Sequence, residues 1–225
     1  MDNPKIELTK DGSNTLVHTK YNAHYHSTAG AIIESDFVYI KSGLDFFIES
    51  TQEKSVSVLE IGFGSGLNAI NTYRYAIEHE VFVEYIGIEK YPISLEVVQQ
   101  LNFLNFFSIE DKEKVFIEMH QSIENKNLNF SEFFNFKKSF QDFSTINSLN
   151  QYDVIYFDAF APNDQPELWT DNLFSKMYAS LKPNGVLVTY CAQGHARRAM
   201  QAAGFSVKRI PGPPSKRHIT RAVKI

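Results

Sequence analysis

A short apolar run that breaks into alternating glycines constrains this chain most: Val56-Ser57-Val58-Leu59-Glu60-Ile61, then Gly62-Phe63-Gly64-Ser65-Gly66. The run, rich in β-branched residues, reads as a buried strand. Glycine lets a backbone turn sharply and approach a ligand closely. Residues 68–78 then read as a helix, so the glycines lie where its unpaired N–H groups face outward. A strand, a glycine turn and a helix in this order predict a doubly wound α/β sheet, with its ligand beyond the carboxyl ends of the strands.

The remaining segments alternate in the same way. Residues 81–88 read as the second strand, 94–107 as helical and 115–119 as a short third strand. The stretch 128–143 holds Phe130, Phe133, Phe134, Phe136, Phe140 and Phe143, and reads as a helix or hairpin that packs these rings inward. Residues 152–158 form a buried strand ending in an acid. Residues 168–181 read as a helix stopped by Lys182-Pro183-Asn184-Gly185. A fifth strand at 185–190 and a helix at 195–203, ended by Gly204, follow. Two strands flanking Pro211-Gly212-Pro213-Pro214 read as a closing hairpin. The expected architecture is a mostly parallel, seven-stranded Rossmann-like sheet with a C-terminal antiparallel hairpin. Residues 1–225 are expected to form a single domain, with 1–50 as an N-terminal extension or lid and 51–225 as the core.

Two acids refine the ligand. Glu89 ends the second strand, 23 residues after Gly66, where a carboxylate accepts hydrogen bonds from both ribose hydroxyls. Asp142, with Phe143 beside it, can face an adenine ring. The glycine spacing is G-x-G-x-G rather than the G-x-G-x-x-G of nicotinamide sites. Periodicity alone leaves S-adenosylmethionine and a nicotinamide dinucleotide both open. The closing hairpin and the strand-end Asp158, followed by Ala159-Phe160-Ala161-Pro162, favour S-adenosylmethionine.

Charge points to a second partner. Residues 172–225 contain no Asp or Glu and ten Lys or Arg, whereas the first 171 residues hold 12 basic and all 26 acidic side chains, a net of −14 against +10. A basic end on an acidic chain suits a polyanion if its cations share one face. The single cysteine, Cys191, excludes an internal disulfide and reads as a buried thiol. The seven histidines form no ligand cluster with it, so no metal is expected. No run reaches the about eighteen apolar residues of a membrane span, and the polar N-terminus lacks a signal peptide's apolar run. The expectation is a cytoplasmic chain with no membrane partner.

Several blocks carry a family resemblance. Asp158-Ala159-Phe160-Ala161-Pro162, Pro166-Glu167-Leu168-Trp169-Thr170, Asn172-Leu173-Phe174 and the run from Ala196 to Phe205 closely resemble the methyltransferase half of the bifunctional tRNA 5-methylaminomethyl-2-thiouridine biosynthesis enzymes, the MnmC type. The glycine block through Asn68, the Glu89-Lys90-Tyr91-Pro92 corner and Tyr25-His26-Ser27 continue the likeness. The chain ends after this half, without the family's flavin-dependent oxidase half, and so looks like a stand-alone, MnmD-type version. The loop from Phe130 to Phe140 differs, and Gln141-Asp142 stands where the family shows Gly-Asp.

The resemblance implies methyl transfer from S-adenosylmethionine to the primary amine of 5-aminomethyl-(2-thio)uridine at the tRNA wobble position. A separate enzyme would supply the aminomethyl group. Asp158 is the expected catalytic residue. Expected at the cofactor are Glu60, Gly62, Phe63, Gly64, Gly66, Asn68, Glu89, Lys90, Asp142, Phe143, Tyr25 and Ser27. Expected at the substrate are Phe160, Pro162 and Trp169 near the base, and Arg197, Arg198, Lys216 and Arg217 at phosphates. The alternatives are a polyamine-synthase-type amine transferase and a non-catalytic module that binds S-adenosylmethionine or RNA.

Overall fold

The computed structural model describes residues 3–214 and 216–225; the first two residues of the polar N-terminus and Ser215 lie outside them. A small antiparallel sheet opens the chain: β1 (Lys5–Leu8), β2 (Asn14–His18) and β3 (Ala23–His24). A continuous helical rod follows, made of α1 (Ala31–Ser35), a π-helical stretch (Asp36–Asp45) and α2 (Phe46–Thr51). π-Helical turns are rare and concentrate at functional sites; Tyr39 lies in this one.

The main sheet begins with β4 (Ser55–Ile61), α3 (Leu67–His79) and β5 (Phe82–Ile88). Next come α4 (Leu95–Val98), a 3₁₀ turn (Phe103–Phe106), α5 (Lys112–Gln121), β6 (Asn127–Ser131) and β7 (Phe134–Ser139). After these come β8 (Tyr152–Phe157), α6 (Asp171–Ser180), β9 (Leu181–Thr189), α7 (Gly194–Ala202), β10 (Ser206–Pro211) and β11 (His218–Val223). The sheet order is β10-β11-β9-β8-β4-β5-β7-β6. Strands β9, β8, β4, β5 and β7 run parallel, while β6, β10 and β11 run against their neighbours. Every residue of β8 is buried, as expected of a central parallel strand covered on both faces.

Three expectations need correction. The sheet has eight strands, because the phenylalanine-rich stretch is a β-hairpin. Phe134 and Phe136 alternate into the core there, a period of two that a helix would not give. Residues 115–119 are not a strand but part of α5, where Val115, Phe116 and Met119 share a buried helical face; a five-residue window was too short to show that period. Within 94–107 only α4 and the 3₁₀ turn are helical.

The closing hairpin is present. Thr220 pairs with Thr189, so His218 lies beyond the carboxyl end of β9. The strand order reverses between β4 and β8, the usual place for a ligand crevice.

Candidate active site

A cavity of about 1210 Å³ opens at that crevice. It exceeds the roughly 300–1,000 Å³ of a typical small-molecule pocket, which leaves room for a cofactor beside an acceptor group. The glycine turn forms its floor. Gly62 has φ +91°, and a Cβ there would stand 2.7 Å from the Asp158 carbonyl oxygen. Only glycine lets the two strand ends close in this way. The Asp158 N–H donates to the Ile61 carbonyl at 2.9 Å, which fixes the aspartate beside the turn.

Asp158 is the centre of a hydrogen-bonded group. Its carboxylate accepts from the Tyr39 hydroxyl at 2.5 Å and from Asn68 Nδ2 at 2.8 Å. Asn68 also donates to Glu60 Oε1 at 2.9 Å and accepts from the Ser35 hydroxyl at 2.7 Å. Burial pushes the Asp158 carboxyl up to about 7, and the Glu34 charge adds to this; the Tyr39 and Asn68 hydrogen bonds and the Lys216 charge oppose it. A carboxylate poised near neutrality can exchange a proton with a bound amine.

Glu89 faces the other end of the turn. Its carboxylate accepts the Gly64 N–H at 3.0 Å and the Tyr91 N–H at 2.8 Å, and burial raises its pKa. It keeps free lone pairs toward the cavity. Lys138 lies nearby, 1% exposed, in the phenylalanine-rich hairpin. Its ammonium caps the C-terminal carbonyls of α5, donating to Met119 at 3.0 Å and His120 at 2.5 Å. Burial lowers it to about 8, with the Glu89 charge opposing.

Two histidines brace the turn. His26 Nε2 lies 2.7 Å from the Ser65 hydroxyl, and His120 Nε2 lies 3.2 Å from the Ser65 carbonyl. Burial lowers them to about 4 and about 3, so both are neutral bracing groups at pH 7.

The candidate residues divide by place. Tyr25, Gly62, Phe63, Gly64, Glu89, Lys90, Asp142, Phe143, Asp158 and Phe160 line the cavity. Asp142 caps the 3₁₀ turn Phe143–Thr145 by accepting the Ser144 N–H at 2.8 Å, and it pairs with Lys90 at 2.8 Å. Glu60, Asn68 and Gly66 lie behind the cavity wall. Glu60 is fully buried, with its Oε2 lacking a hydrogen-bond partner; burial holds its carboxyl well above the usual range. The Ser27 N–H donates to Glu34 at 2.7 Å, and Pro162 is buried.

Trp169 is 3% exposed and packs on Phe157 and Phe174. Its indole N–H donates to the Phe160 carbonyl at 2.8 Å, so it braces the loop after Asp158 from within the core. Lys216 pairs with the buried Glu34 and lies 4.1 Å from the centre of the Tyr190 ring. It therefore turns inward, away from the other basic candidates. Desolvation lowers the pKa of His218, and the charges of Arg209, Arg217 and Arg197 lie near enough to lower it further. Arg198 is exposed on α7.

Residues not anticipated include Tyr39, Glu34, Tyr190, His18 and Tyr21. Tyr190 directly follows β9, a strand-end position that could have marked it. Tyr39 and Glu34 carry no local motif. Among the described residues no three His, Cys, Asp or Glu side chains gather as metal ligands, and no helix is long and apolar enough to cross a membrane.

The sequence profile of an S-adenosyl-L-methionine-dependent methyltransferase family matches residues 109–225, just over half of the chain. The chain belongs to this family. The cavity suits the family's cofactor on its own chemistry. Glu89 offers acceptor oxygens, the glycine turn offers open backbone, and the Ser94 hydroxyl on the cavity wall is buried without a hydrogen-bond partner.

Among known proteins, this methyltransferase is similar to the tRNA 5-methylaminomethyl-2-thiouridine biosynthesis bifunctional protein MnmC of Leptospira interrogans. The two are 26% identical over 224 residues, covering 94% of this chain and 34% of that protein. The protein of the same name from Burkholderia thailandensis is 25% identical, again covering 94% and 34%. The chain thus spans about a third of the length of these relatives. The crystal structure of MNMC2 from Aquifex aeolicus matches with a TM-score of 0.78 and 25% identity, covering 99% of this chain and 70% of that one. Spermidine synthase from Thermotoga maritima shares the fold, with a TM-score of 0.57 and 13% identity over 100% of this chain and 71% of its own.

Proposed function

We propose that this chain methylates the primary amine of 5-aminomethyl-(2-thio)uridine at the tRNA wobble position, giving the 5-methylaminomethyl form. The observation that carries the reading is Asp158: a carboxyl raised to about 7 by burial, held by Tyr39 and Asn68, on the wall of a cavity that also reaches the glycine turn and Glu89. The names and structures of the relatives support the choice of substrate.

S-adenosylmethionine, when bound, supplies an electrophilic methyl group. The chain's own task is positioning and proton control. An alkyl ammonium is mostly protonated at neutral pH, as lysine is, and has no lone pair for attack. Asp158 accepts a hydrogen bond from the amine, takes its proton and aims the freed lone pair. Tyr39 and Asn68 hold the carboxylate in place and keep enough of it ionised. Glu89 would hold the ribose hydroxyls, and Asp142 and Phe143 would border the adenine. Glu60 and Asn68 act from behind as a brace under Asp158.

The tRNA body rests on the cations around His218. Arg197, Arg209 and Arg217 lie at the carboxyl end of the sheet, the end where the cavity opens. Residues 18–26 border the cavity and would close over it as a lid, while the helical rod that follows packs into the core of the same catalytic unit. The reading includes a cytoplasmic location, no metal and a separate enzyme that supplies the aminomethyl group.

The test is label transfer. The chain is incubated with methyl-labelled S-adenosylmethionine and tRNA carrying 5-aminomethyluridine, beside a parallel reaction with a diamine. Label in the modified uridine supports the reading; label in the diamine alone, or in neither, defeats it.

A further inference from the structure

Four rings gather on the Asp158 side of the cavity. His18 ends β2, Tyr21 lies in the β2–β3 turn, Tyr25 follows β3, and Phe160 lies two residues beyond Asp158. Ring centres are 5.4 Å apart for His18–Phe160, 5.7 Å for Tyr21–Phe160, 5.1 Å for Tyr25–Phe160 and 4.8 Å for His18–Tyr21. All four are half-buried and line the cavity. Rings that only filled a core would be covered, as Trp169 is.

Their surroundings give the group a direction. Tyr25 stands against the glycine turn: a Cβ on Gly64 would lie 3.1 Å from its ring. Its ring therefore parts the space over the glycines from the space beside Phe160. His18 Nδ1 accepts the backbone N–H groups of Lys20 at 3.2 Å and Tyr21 at 3.4 Å. That bonding places the proton of the neutral ring on Nε2, leaving Nε2–H as a donor. The Lys20 ammonium lies 5.2 Å from the centre of the Tyr21 ring and makes the rim cationic.

We propose that His18, Tyr21, Tyr25 and Phe160 form the box that receives the acceptor base, a uracil-type pyrimidine drawn out of an RNA strand. This rests on the function proposed above and names the residues that hold its substrate. A pyrimidine offers two flat faces to aromatic rings and a ring carbonyl to a donor such as His18 Nε2–H. Tyr21 and Phe160 touch each other, so the base stacks on the cavity-facing side of this cluster, with its 5-substituent toward Asp158. In the reading proposed above, the cofactor's adenine has partners of its own, Asp142 and Phe143, which line the same cavity. Trp169, expected from sequence to stack on the base, instead fixes the Phe160 carbonyl.

The test uses an anticodon stem–loop RNA with 5-aminomethyluridine at the wobble position, and a second RNA with a fluorescent pyrimidine there. Tyr21→Leu and His18→Ala are compared with the conservative Tyr21→Phe and His18→Gln. Base–aromatic stacking predicts that Tyr21→Leu raises the KM for RNA by roughly 5- to 150-fold. His18→Ala raises it by about tenfold, the scale of one lost hydrogen bond. Both conservative variants recover most of the loss. Dissociation constants for S-adenosylmethionine, measured by calorimetry, stay near the wild-type value, which also reports a folded chain. Fluorescence of the pyrimidine is quenched by wild type and not by Tyr21→Leu.

Wild-type methyl transfer with unchanged KM and quenching in both variants overturns the box and leaves the function standing. Quenching that depends on Tyr21, without any methyl transfer by wild type, overturns the function and leaves the box. A loss of S-adenosylmethionine binding equal to the loss of RNA binding would place these rings on the cofactor instead.

Discussion

Tyr39 donates its phenolic hydrogen to Asp158 at 2.5 Å across 119 positions of sequence. The bond ties the π-helical stretch before the sheet to the end of β8. It favours the ionised carboxylate against the burial that raises it to about 7. If Asp158 must be ionised to take the amine's proton, kcat/KM rises with pH through about 7. Losing a hydrogen bond to a charged group costs about 1.5–3 kcal/mol, or roughly 1–2 pH units. Tyr39→Phe is therefore expected to move the acid limb upward by that amount. Asp158→Asn is expected to remove the limb and lower kcat by about 10²–10⁴. Profiles that coincide for wild type and Tyr39→Phe would contradict the arrangement.

Lys216 and Arg217 are neighbours in sequence with opposite expectations. Arg217 shares a cationic patch with Arg197 and Arg209; Lys216 pairs with Glu34, which is 5% exposed. Each lost phosphate contact reduces the salt slope of nucleic-acid binding by about 1. Arg217→Gln is expected to do this without loss of stability. Lys216→Gln is expected to leave the slope unchanged and to destabilise the fold by about 3–5 kcal/mol, because it strands a buried carboxylate. Adding Glu34→Gln should recover part of that loss in urea denaturation.

His26 and His120 make stability depend on pH. Both have folded values, about 4 and about 3, well below the ordinary imidazole range. The unfolded chain takes up their protons first as pH falls. Their contribution is thus complete above about pH 6.5 and is lost as pH drops toward 4 and 3. Melting temperature is expected to fall across that window, with a shallower slope in His26→Gln and His120→Gln. Parallel slopes would show that the two rings are not buried neutral groups.

Much of the candidate site's placement was legible because it is local. The glycine turn follows β4 directly, Glu89 ends β5 and Asp158 ends β8, so strand order alone delivers them to one crevice. Long-range partners were not legible. Nothing near Tyr39 marks it as the donor to Asp158, and nothing near Lys216 shows that it turns toward Glu34. Composition also could not separate a ring that packs from one that binds: Trp169 packs, while His18 and Tyr21 line the cavity. Nothing near Lys138 in sequence shows that the end of α5 draws its ammonium inside.

Trp169 gives a direct check on that distinction. A buried Trp that loses its ring costs about 3–5 kcal/mol. Trp169→Ala is expected to lower stability on that scale, with Trp169→Phe milder. Stability unchanged in calorimetry would return Trp169 to the substrate.

The central claim of the proposed mechanism is that Asp158 takes the proton of the wobble uridine's exocyclic amine and aims the freed lone pair for methyl transfer from S-adenosylmethionine. Its most direct test is single-turnover methyl transfer to tRNA carrying 5-aminomethyluridine, read by nucleoside mass spectrometry for wild type and Asp158→Asn, with S-adenosylmethionine affinity measured alongside. The predicted result is one methyl on the exocyclic amine with wild type, and a loss of about a hundredfold or more in rate with near-normal cofactor affinity in the variant. Equal rates for the two proteins, or a methyl found elsewhere on the RNA, would contradict it.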